Sequence, residues 1–321
     1  MQDNTKKPLI SIVIVNYNGL RFLERCFSSL SHQTYKDFEI FFIDNGSSDD
    51  SSVFVRDRFP SANIIETGKN LGFAGGTNTG ILASHGDFIL TLNNDTIADP
   101  FFIENLINPM LNNSHIGMCA SKMLFPDGRI NSTGICISRS GAAWDRGIFE
   151  TDSGQYDSRD EVFGPCAGAA LYRRSMLNEI GLFDEDFFIF MEDVDLAFRA
   201  QSAGWKCRFV PSAKVTHIMG GTSGKDSHTS VYYGNRNLLW NVIKNFPVKT
   251  ILFSLPWIVG RNCADIPFYF LRGKGLTIIR AKIDCLIGIP KMLRKRRGHL
   301  LAKREKEIER WILTWRSGKH V

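Results

Sequence analysis

No stretch of this 321-residue chain approaches the ~20 consecutive apolar residues of a bilayer-spanning helix, and the apolar segment Thr250 to Gly260 is broken by Pro256. The start lacks the basic, apolar and small-residue sequence of a secretory signal. Its apolar run from Leu9 to Val15 is too short, so a cytoplasmic location is the expectation. Seven cysteines (Cys26, Cys119, Cys136, Cys166, Cys207, Cys263 and Cys285) are scattered, odd in number and form no CxxC pair. That argues against a disulfide framework and against a zinc site. A GxxxxGK[ST] phosphate loop is missing, and the glycines of Leu71 to Gly76 lack the GxGxxG spacing of a dinucleotide site. Between residues 96 and 240 no internal repeat or low-complexity tract is visible.

What is there is ordinary globular composition, 43% hydrophobic and 22% charged, enough for one large domain or one domain with an appendage. The net charge of +6 hides an asymmetry. Residues 272–321 carry 15 Lys+Arg against 4 Asp+Glu, leaving 24 against 29, or −5, for residues 1–271. A basic segment on an acidic body implies attraction to an anionic surface, phospholipid or nucleic acid.

The first hundred residues repeat one pattern. An apolar, β-branched run (Leu9 to Val15) ends at Asn16-Tyr17-Asn18-Gly19, and Leu20, Leu23, Phe27 and Leu30 follow at helical spacing. Further strands are predicted at Phe38 to Ile43, ending in Asp44-Asn45-Gly46; at Asn63 to Glu66, before the Asn70 to Gly76 loop; and at Phe88 to Leu92, before Asn93-Asn94-Asp95. A helix is predicted around Ala74 to Ser84. Strands alternating with helices predict an α/β fold with a parallel sheet and right-handed crossovers. Polar residues at the carboxyl ends of such strands mark the ligand crevice of open α/β sheets. Asn, Asp and Gly also simply make turns, so the weight lies on four such ends together.

Within that pattern Asp44 can accept hydrogen bonds from a base or ribose, and Val15 with Asn16 offers backbone and amide groups to a uracil or thymine ring. Without a phosphate loop, a diphosphate calls for a divalent cation, and Asp95 is the best-placed hard oxygen ligand, with Asn94 beside it. Further on, the aromatic run before Glu192-Asp193 places carboxylates at a predicted helix start. Acidic residues suit the helix dipole there, and an aromatic wall also tunes a general base. His217 precedes a glycine-rich loop, Met219 to Gly224, and reads either as a structural histidine or as a cation ligand under a closing loop.

These residues resemble the family-2 glycosyltransferases of the GT-A fold, within them the rhamnosyltransferase-like enzymes of bacterial surface polysaccharide synthesis. The resemblance spans about residues 8–245. It rests on SIVIVNYNG (11–19), FFIDNGSSD (41–49), the glycine-asparagine pattern of Asn70 to Gly80, LNND (92–95), GAALYRR (168–174) and GLFDEDFFIFMEDVDLAFR (181–199). It implies a Rossmann-like, mostly parallel nucleotide-binding sheet flanked by helices. Residues 1–245 would be the catalytic domain, with 8–100 the nucleotide half and 101–245 the acceptor half. Val15, Asn16, Tyr17, Asp44, Asn45, Asn94 and the Asn70 to Asn78 segment with Gly72 would hold a dTDP- or UDP-sugar. Asp95 would hold Mg²⁺ or Mn²⁺ with help from His217, and Asp193, with Glu192, would be the catalytic base of an inverting transfer to a glycan or lipid-linked acceptor. One departure stands out: Asn93 replaces the first carboxylate of the family's Asp-x-Asp, which weakens the expected metal grip and leaves open a non-catalytic, sugar-nucleotide-binding subunit.

Residues 246–321 are expected to be helical and basic. Phe253, Trp257, Phe268, Tyr269 and Phe270 alternate with Arg261, Arg272 and Lys274, followed by Arg294 to Arg297. That mixture suits helices in the headgroup region of an anionic membrane. The net acidic body and the absence of a nucleic-acid motif argue against a DNA or RNA partner.

Overall fold

In the first strand, β1 (Ile10–Asn16), side chains alternate between two apolar layers. Ile10, Ile12 and Ile14 join Leu23, Phe27, Leu30, Phe102 and Leu106, whereas Val13 and Val15 face Ala74, Ile81 and Phe183. Burial on both faces is why this strand reads as a nearly continuous apolar run. The computed structural model describes residues 7–158, 160–218, 227–296 and 305–313; the Met219 to Gly224 loop and Arg297 lie outside them.

After β1 the chain alternates α1 (Leu20–Ser31), β2 (Phe38–Asp44), α2 (Ser51–Arg58), β3 (Asn63–Glu66), α3 (Gly72–Ala83) and β4 (Phe88–Leu92). α1 buries Leu23, Cys26, Phe27 and Leu30, the i, i+3, i+4, i+7 stripe of a helix lying on a sheet. Then come β5 (Thr96–Ala98), α4 (Phe102–Asn112), β6 (Ile116–Leu124), β7 (Ile130–Ser132), β8 (Ile135–Ser138), β9 (Ala143–Asp145), β10 (Glu161–Val162) and β11 (Ala169–Arg173). They are followed by α5 (Arg174–Ile180), a 3-10 turn (Glu185–Phe187), α6 (Glu192–Ala203), β12 (Lys206–His217) and α7 (His228–Asn245).

The main sheet runs β10-β12-β6-β11-β4-β1-β2-β3, with β5 on β12 and β7 on β6. As expected, β3, β2, β1 and β4 are parallel. Beyond β4 the sheet is mixed, because β11 is antiparallel to both β4 and β6 while β6 and β12 are parallel. The chain steps from β1 outward to β3, then returns to place β4 on the other side of β1. That reversal opens a crevice at the carboxyl ends of β1 and β4.

α3 lies directly on β1 because its inner face is glycine. A Cβ at Gly80 would come 2.5 Å from Val13 Cγ1, and one at Gly76 2.7 Å from Val15 Cγ1. The glycine-rich stretch is therefore a packing device.

The helical extension expected after residue 245 is present as α8 (Val248–Leu271) and α9 (Gly275–Lys295), with α9 packed on α7 and α8. Its last described part turns back: α10 (Glu305–Glu309) and β13 (Ile312–Leu313) bury Ile308 and Ile312 in the main core, and β13 pairs with β8. None of the described helices is long and apolar enough to cross a membrane.

Gly80→Ala is expected to lower the unfolding free energy by about 1–3 kcal/mol through overpacking, despite a gain of up to ~1 kcal/mol in helix propensity. Gly234→Ala, inside α7 with open space around it, is expected to raise it by about 0.5–1 kcal/mol. Denaturant melts of the pair check both signs.

Candidate active site

The strand ends form a connected polar floor. Asn16 is fully buried; its amide donates to Ser47 Oγ at 3.1 Å, and its Oδ1 accepts from Asn94 Nδ2 at 2.6 Å. Any side chain at Gly19 would collide with Asn94 and Asn16, so glycine there lets the ends of β1 and β4 meet. Asp44, paired with Asn16 in the sheet register, accepts from the Ser47 amide at 2.9 Å and the Ser52 hydroxyl at 2.6 Å. Val15 and Tyr17 flank Asn16 and stay partly exposed.

Asn45, Asn70, Gly72 and Asn78 bond to one another and to the backbone around them. Asn45 uses both amide hydrogens on Asn70 Oδ1 (3.1 Å) and the Gly72 carbonyl (2.9 Å), and accepts from the Leu71 amide (2.9 Å). Asn70 Oδ1 also accepts from the Gly72 amide at 2.8 Å. Asn78 donates to the Phe183 carbonyl and Glu185 Oε1, each at 2.9 Å, and accepts from the Phe183 amide at 3.1 Å. These side chains tie the loop before α3 to the sheet and α3 to the acidic segment 183–185.

Asp95 is buried, with Oδ1 3.1 Å from His217 Nε2. The other ring nitrogen, Nδ1, meets Asn131 Oδ1 at 3.0 Å, which fixes the ring's orientation. Asp145, at the end of β9, joins this neighbourhood. Burial pushes its carboxyl above the usual aspartate range in spite of hydrogen bonds from Ser132 and Cys166 and of nearby His217. Neither Asn131 nor Asp145 stands in a periodic or acidic run, so no sequence signal marked them.

The chain reaches Glu192-Asp193 through strained backbone. Phe188, Phe190 and Met191 all have φ between 64° and 71° without being glycine. Phe188, at φ 64° and ψ −65°, with the Ile189 amide donating to the Phe187 carbonyl at 2.7 Å, is the centre of a γ-turn of the rare positive-φ kind. α7 holds this loop. Asn237 Nδ2 donates to the carbonyls of Phe187 (2.8 Å), Ile189 (3.0 Å) and Phe190 (2.8 Å), and Asn241 donates to Met191 (3.1 Å). Arg236 reaches the Asp186 carbonyl at 2.8 Å, and from α3 the Ala74 amide donates to the Phe188 carbonyl at 3.1 Å. The available signal was the repeat Asn237, Asn241, Asn245, which puts an amide on one helix face every turn.

At the start of α6 Glu192 is buried, and its Oε2 has no hydrogen-bond partner. Burial first, then the adjoining Asp193 charge, pushes its carboxyl well above the glutamate range. Asp193 keeps a solvent-facing edge, yet enclosure raises it to about 6. The Ala167 amide, donating to Oδ2 at 3.2 Å, opposes that rise, and Asp145 adds to it. One carboxyl kept neutral beside one able to ionise near pH 7 is an acid and base arrangement. Asp195 is the contrast. Burial alone would raise it, but Lys244 at 2.7 Å and Arg199 at 2.8 Å outweigh that and hold it well below the usual range.

A parallel half whose strand ends carry Asn16, Asp44 and Asp95, joined to a mixed half that presents an enclosed carboxylate pair, defines a glycosyltransferase of the GT-A fold. The fold is similar to the crystal structure of GalNAc-T7 with UDP, GalNAc and Mn²⁺, at a TM-score of 0.61 and 17% identity, covering 76% of this chain and 49% of that one, about half its length. The chain belongs to glycosyl transferase family 2, whose model matches residues 11–181, ending short of Glu192-Asp193. Among curated relatives, the N-acetylglucosaminyl-diphospho-decaprenol L-rhamnosyltransferase of Mycobacterium tuberculosis is 29% identical over 70% of this chain and 81% of its own length. The O-antigen biosynthesis protein RfbC of Myxococcus xanthus is 22% identical over 65% of this chain but only 17% of that protein.

Asn237→Ala is expected to destabilise the protein by about 2–4 kcal/mol, since it leaves several loop carbonyls without their donor. It should lower kcat more than it raises the donor KM, because the loop leads into Glu192-Asp193 and does not touch the polar floor of Asn16, Asp44 and Asn94. Thermal melts and steady-state kinetics measure both.

Proposed function

We propose that this enzyme moves a sugar, rhamnose or another deoxyhexose or hexose, from a dTDP or UDP carrier to a glycan or lipid-linked acceptor in cell-surface polysaccharide synthesis. The observation that carries the reading is Asp193, an enclosed carboxylate of raised pKa at the open end of α6, next to the buried, unpartnered Glu192 oxygen. The names of the mycobacterial and myxobacterial relatives point to the same substrate classes. In this reading residues 1–245 are the catalytic domain, and residues 246–321 keep it peripheral at the inner face of the membrane.

Val15, Tyr17 and the lone pairs left on Asp44 receive the base and ribose. Asp193 takes the proton from the acceptor hydroxyl as that oxygen attacks the anomeric carbon opposite the diphosphate, so the anomeric centre inverts in one displacement. Glu192, held neutral, supplies a hydrogen bond to the incoming hydroxyl.

Asp95 and His217 fit a divalent cation. Two neighbouring ligands on bonds of ~2.1 Å stand ~3.0 Å apart at right angles, close to their 3.1 Å separation. Among the described residues no third carboxylate, imidazole or thiol completes a protein site; Asp95 and His217 would be the side chains that hold the cation. When bound, Mg²⁺ or Mn²⁺ neutralises charge on the leaving diphosphate.

Asp193→Asn is expected to lower kcat/KM by about 10²–10⁴-fold with donor binding intact; near-normal turnover would sink the base assignment. Wild-type kcat/KM should climb as pH rises through about 6, where Asp193 ionises. The same shift destabilises the fold: a carboxyl raised in the folded state penalises folding above its unfolded pKa, fully so above its folded one. The Asn variant should therefore be more stable by about 1–3 kcal/mol at pH 8, a gain that vanishes below pH ~4.

Asn131→Ala, which removes the hydrogen-bond partner of His217 Nδ1, is expected to raise the Mn²⁺ concentration for half-maximal activity about 10-fold; an unchanged metal titration would count against the Asp95-His217 site. Thermal shifts with dTDP-, UDP- and GDP-sugars identify the carrier. Tight donor binding without transfer across an acceptor panel would favour a non-catalytic binding subunit instead, the reading that Asn93 keeps open.

A further inference from the structure

α9 has two apolar faces. One carries Ile278, Ala281, Cys285 and Met292, all buried, where Trp240 Nε1 of α7 donates to the Cys285 carbonyl at 2.9 Å. The other, Leu276, Ile279, Ile283, Leu286, Ile287 and Leu293, recurs at helical spacing and is exposed, Leu276 at 86% and Ile287 at 71%. α8 adds exposed Phe253, Val259 and Phe270, and Leu271 at its end is 90% exposed. Scattered surface apolar residues need no account, but a whole unpartnered helix face marks an interaction site.

The charges say what kind. Residues 248–296 hold ten Lys and Arg against two acids, Asp265 and Asp284. Both acids are engaged within the fold, Asp265 with Lys282 at 3.3 Å and Asp284 with the Tyr232 hydroxyl at 2.5 Å. Asp186, Asp184 and Glu305 from outside these helices pair with Lys291, Lys295 and Lys249, which makes five acids against the ten Lys and Arg, so a second copy on this face would still set net positive charge against net positive charge. Acidic phospholipid matches both the charge and the apolar stripe. Neither helix is long and apolar enough to cross a bilayer, so both would lie in its plane.

We propose that the outer face of α9, continued by α8, is the surface by which this enzyme docks on anionic membrane. The inference rests on the lipid-linked acceptor reading and gives it a place in the structure. On the inner side of α9, Lys291 pairs with Asp186 at 2.5 Å, and Lys295 pairs with Asp184 and Asp186 at 2.6 Å. The docked helix is thereby bonded to the segment that leads into Glu192-Asp193, which holds the acceptor side of the site close to the membrane.

The test is co-sedimentation of the full chain with vesicles of phosphatidylcholine alone or of phosphatidylcholine with phosphatidylglycerol. The variants are Leu286→Glu/Ile287→Glu and Arg280→Glu/Arg294→Glu. Wild type should sediment with the anionic vesicles and less so as salt rises. The apolar pair should reduce binding by about 10-fold or more, and the charge pair should abolish the preference for phosphatidylglycerol. Undiminished sedimentation of the Leu286/Ile287 variant would overturn the proposal, as would a wild-type dimer that this variant dissociates while wild type ignores vesicles. Donor-induced thermal shifts on the same samples report folding and the nucleotide site. If wild type shows no donor shift, the enzymatic reading fails while the vesicle result stands on its own.

Discussion

Left-handed backbone at Phe188, Phe190 and Met191 is the constraint around which the mixed half of the sheet and α6 are organised. Each such residue costs roughly 1–2 kcal/mol when it carries a side chain, so the loop persists only because its surroundings hold it. Asn237 alone bonds three of its carbonyls, Arg236 and Asn241 two more, and the Phe188 ring stacks on Tyr233 at 4.9 Å. The result is a tight reversal that brings the chain off the 3-10 turn and starts α6 with Glu192 and Asp193 already in place. Strain of this kind concentrates where geometry matters more than stability.

The same loop joins the two halves of the protein. Asn78 bonds Phe183 and Glu185, the Ala74 amide bonds Phe188, and a Cβ at Gly72 would strike the Phe188 ring. The helix that packs on the nucleotide-type strands is thus stitched to the segment that carries the carboxylates. On the other side Lys244 contacts both Asp184 at 2.6 Å and Asp195 at 2.7 Å. Buried ion pairs are weak sources of stability, since desolvation offsets most of the attraction. Removing one partner is expensive, however, so this network fixes how α7 sits against the loop.

The parallel half was legible in the sequence because burial on both faces leaves an apolar run and the strand must end in turn-forming polar residues. Ile10 to Asn16 and Phe88 to Leu92 show this directly. The acidic residues at the start of α6 were legible as a helix start, because carboxylates in a first turn suit the helix dipole. What an individual amide does was not legible. Asn45 and Asn78 stand in the motif that suggests nucleotide contact, but hydrogen-bond partners are assigned by tertiary neighbours, which here are Gly72, Leu71 and Phe183. Asp145 and Asn131 come from short strands whose position depends on pairing far along the chain. β13, in a segment expected to be helical, pairs with β8 from more than a hundred residues away.

Asp193 and Asp195 show how geometry divides labour that composition cannot. Both are carboxylates in the first turn of α6, where the helix dipole favours negative charge equally. Two residues apart on a helix, they point in nearly opposite directions. Asp195 turns inward to Lys244, Arg199 and Asn245 and is pinned as an anion. Asp193 turns toward an enclosed space with the Ala167 amide as its donor from outside α6, and enclosure and the nearby Asp145 carboxyl disfavour its charge. An anion whose partners are all satisfied has no drive to take a proton; one enclosed with few donors does. Reversing the two environments would require α6 to rotate by half a turn, and the Asn237 and Asn241 bonds to the preceding loop forbid it. The loop clamp therefore decides which carboxylate is pinned as an anion and which keeps a raised pKa.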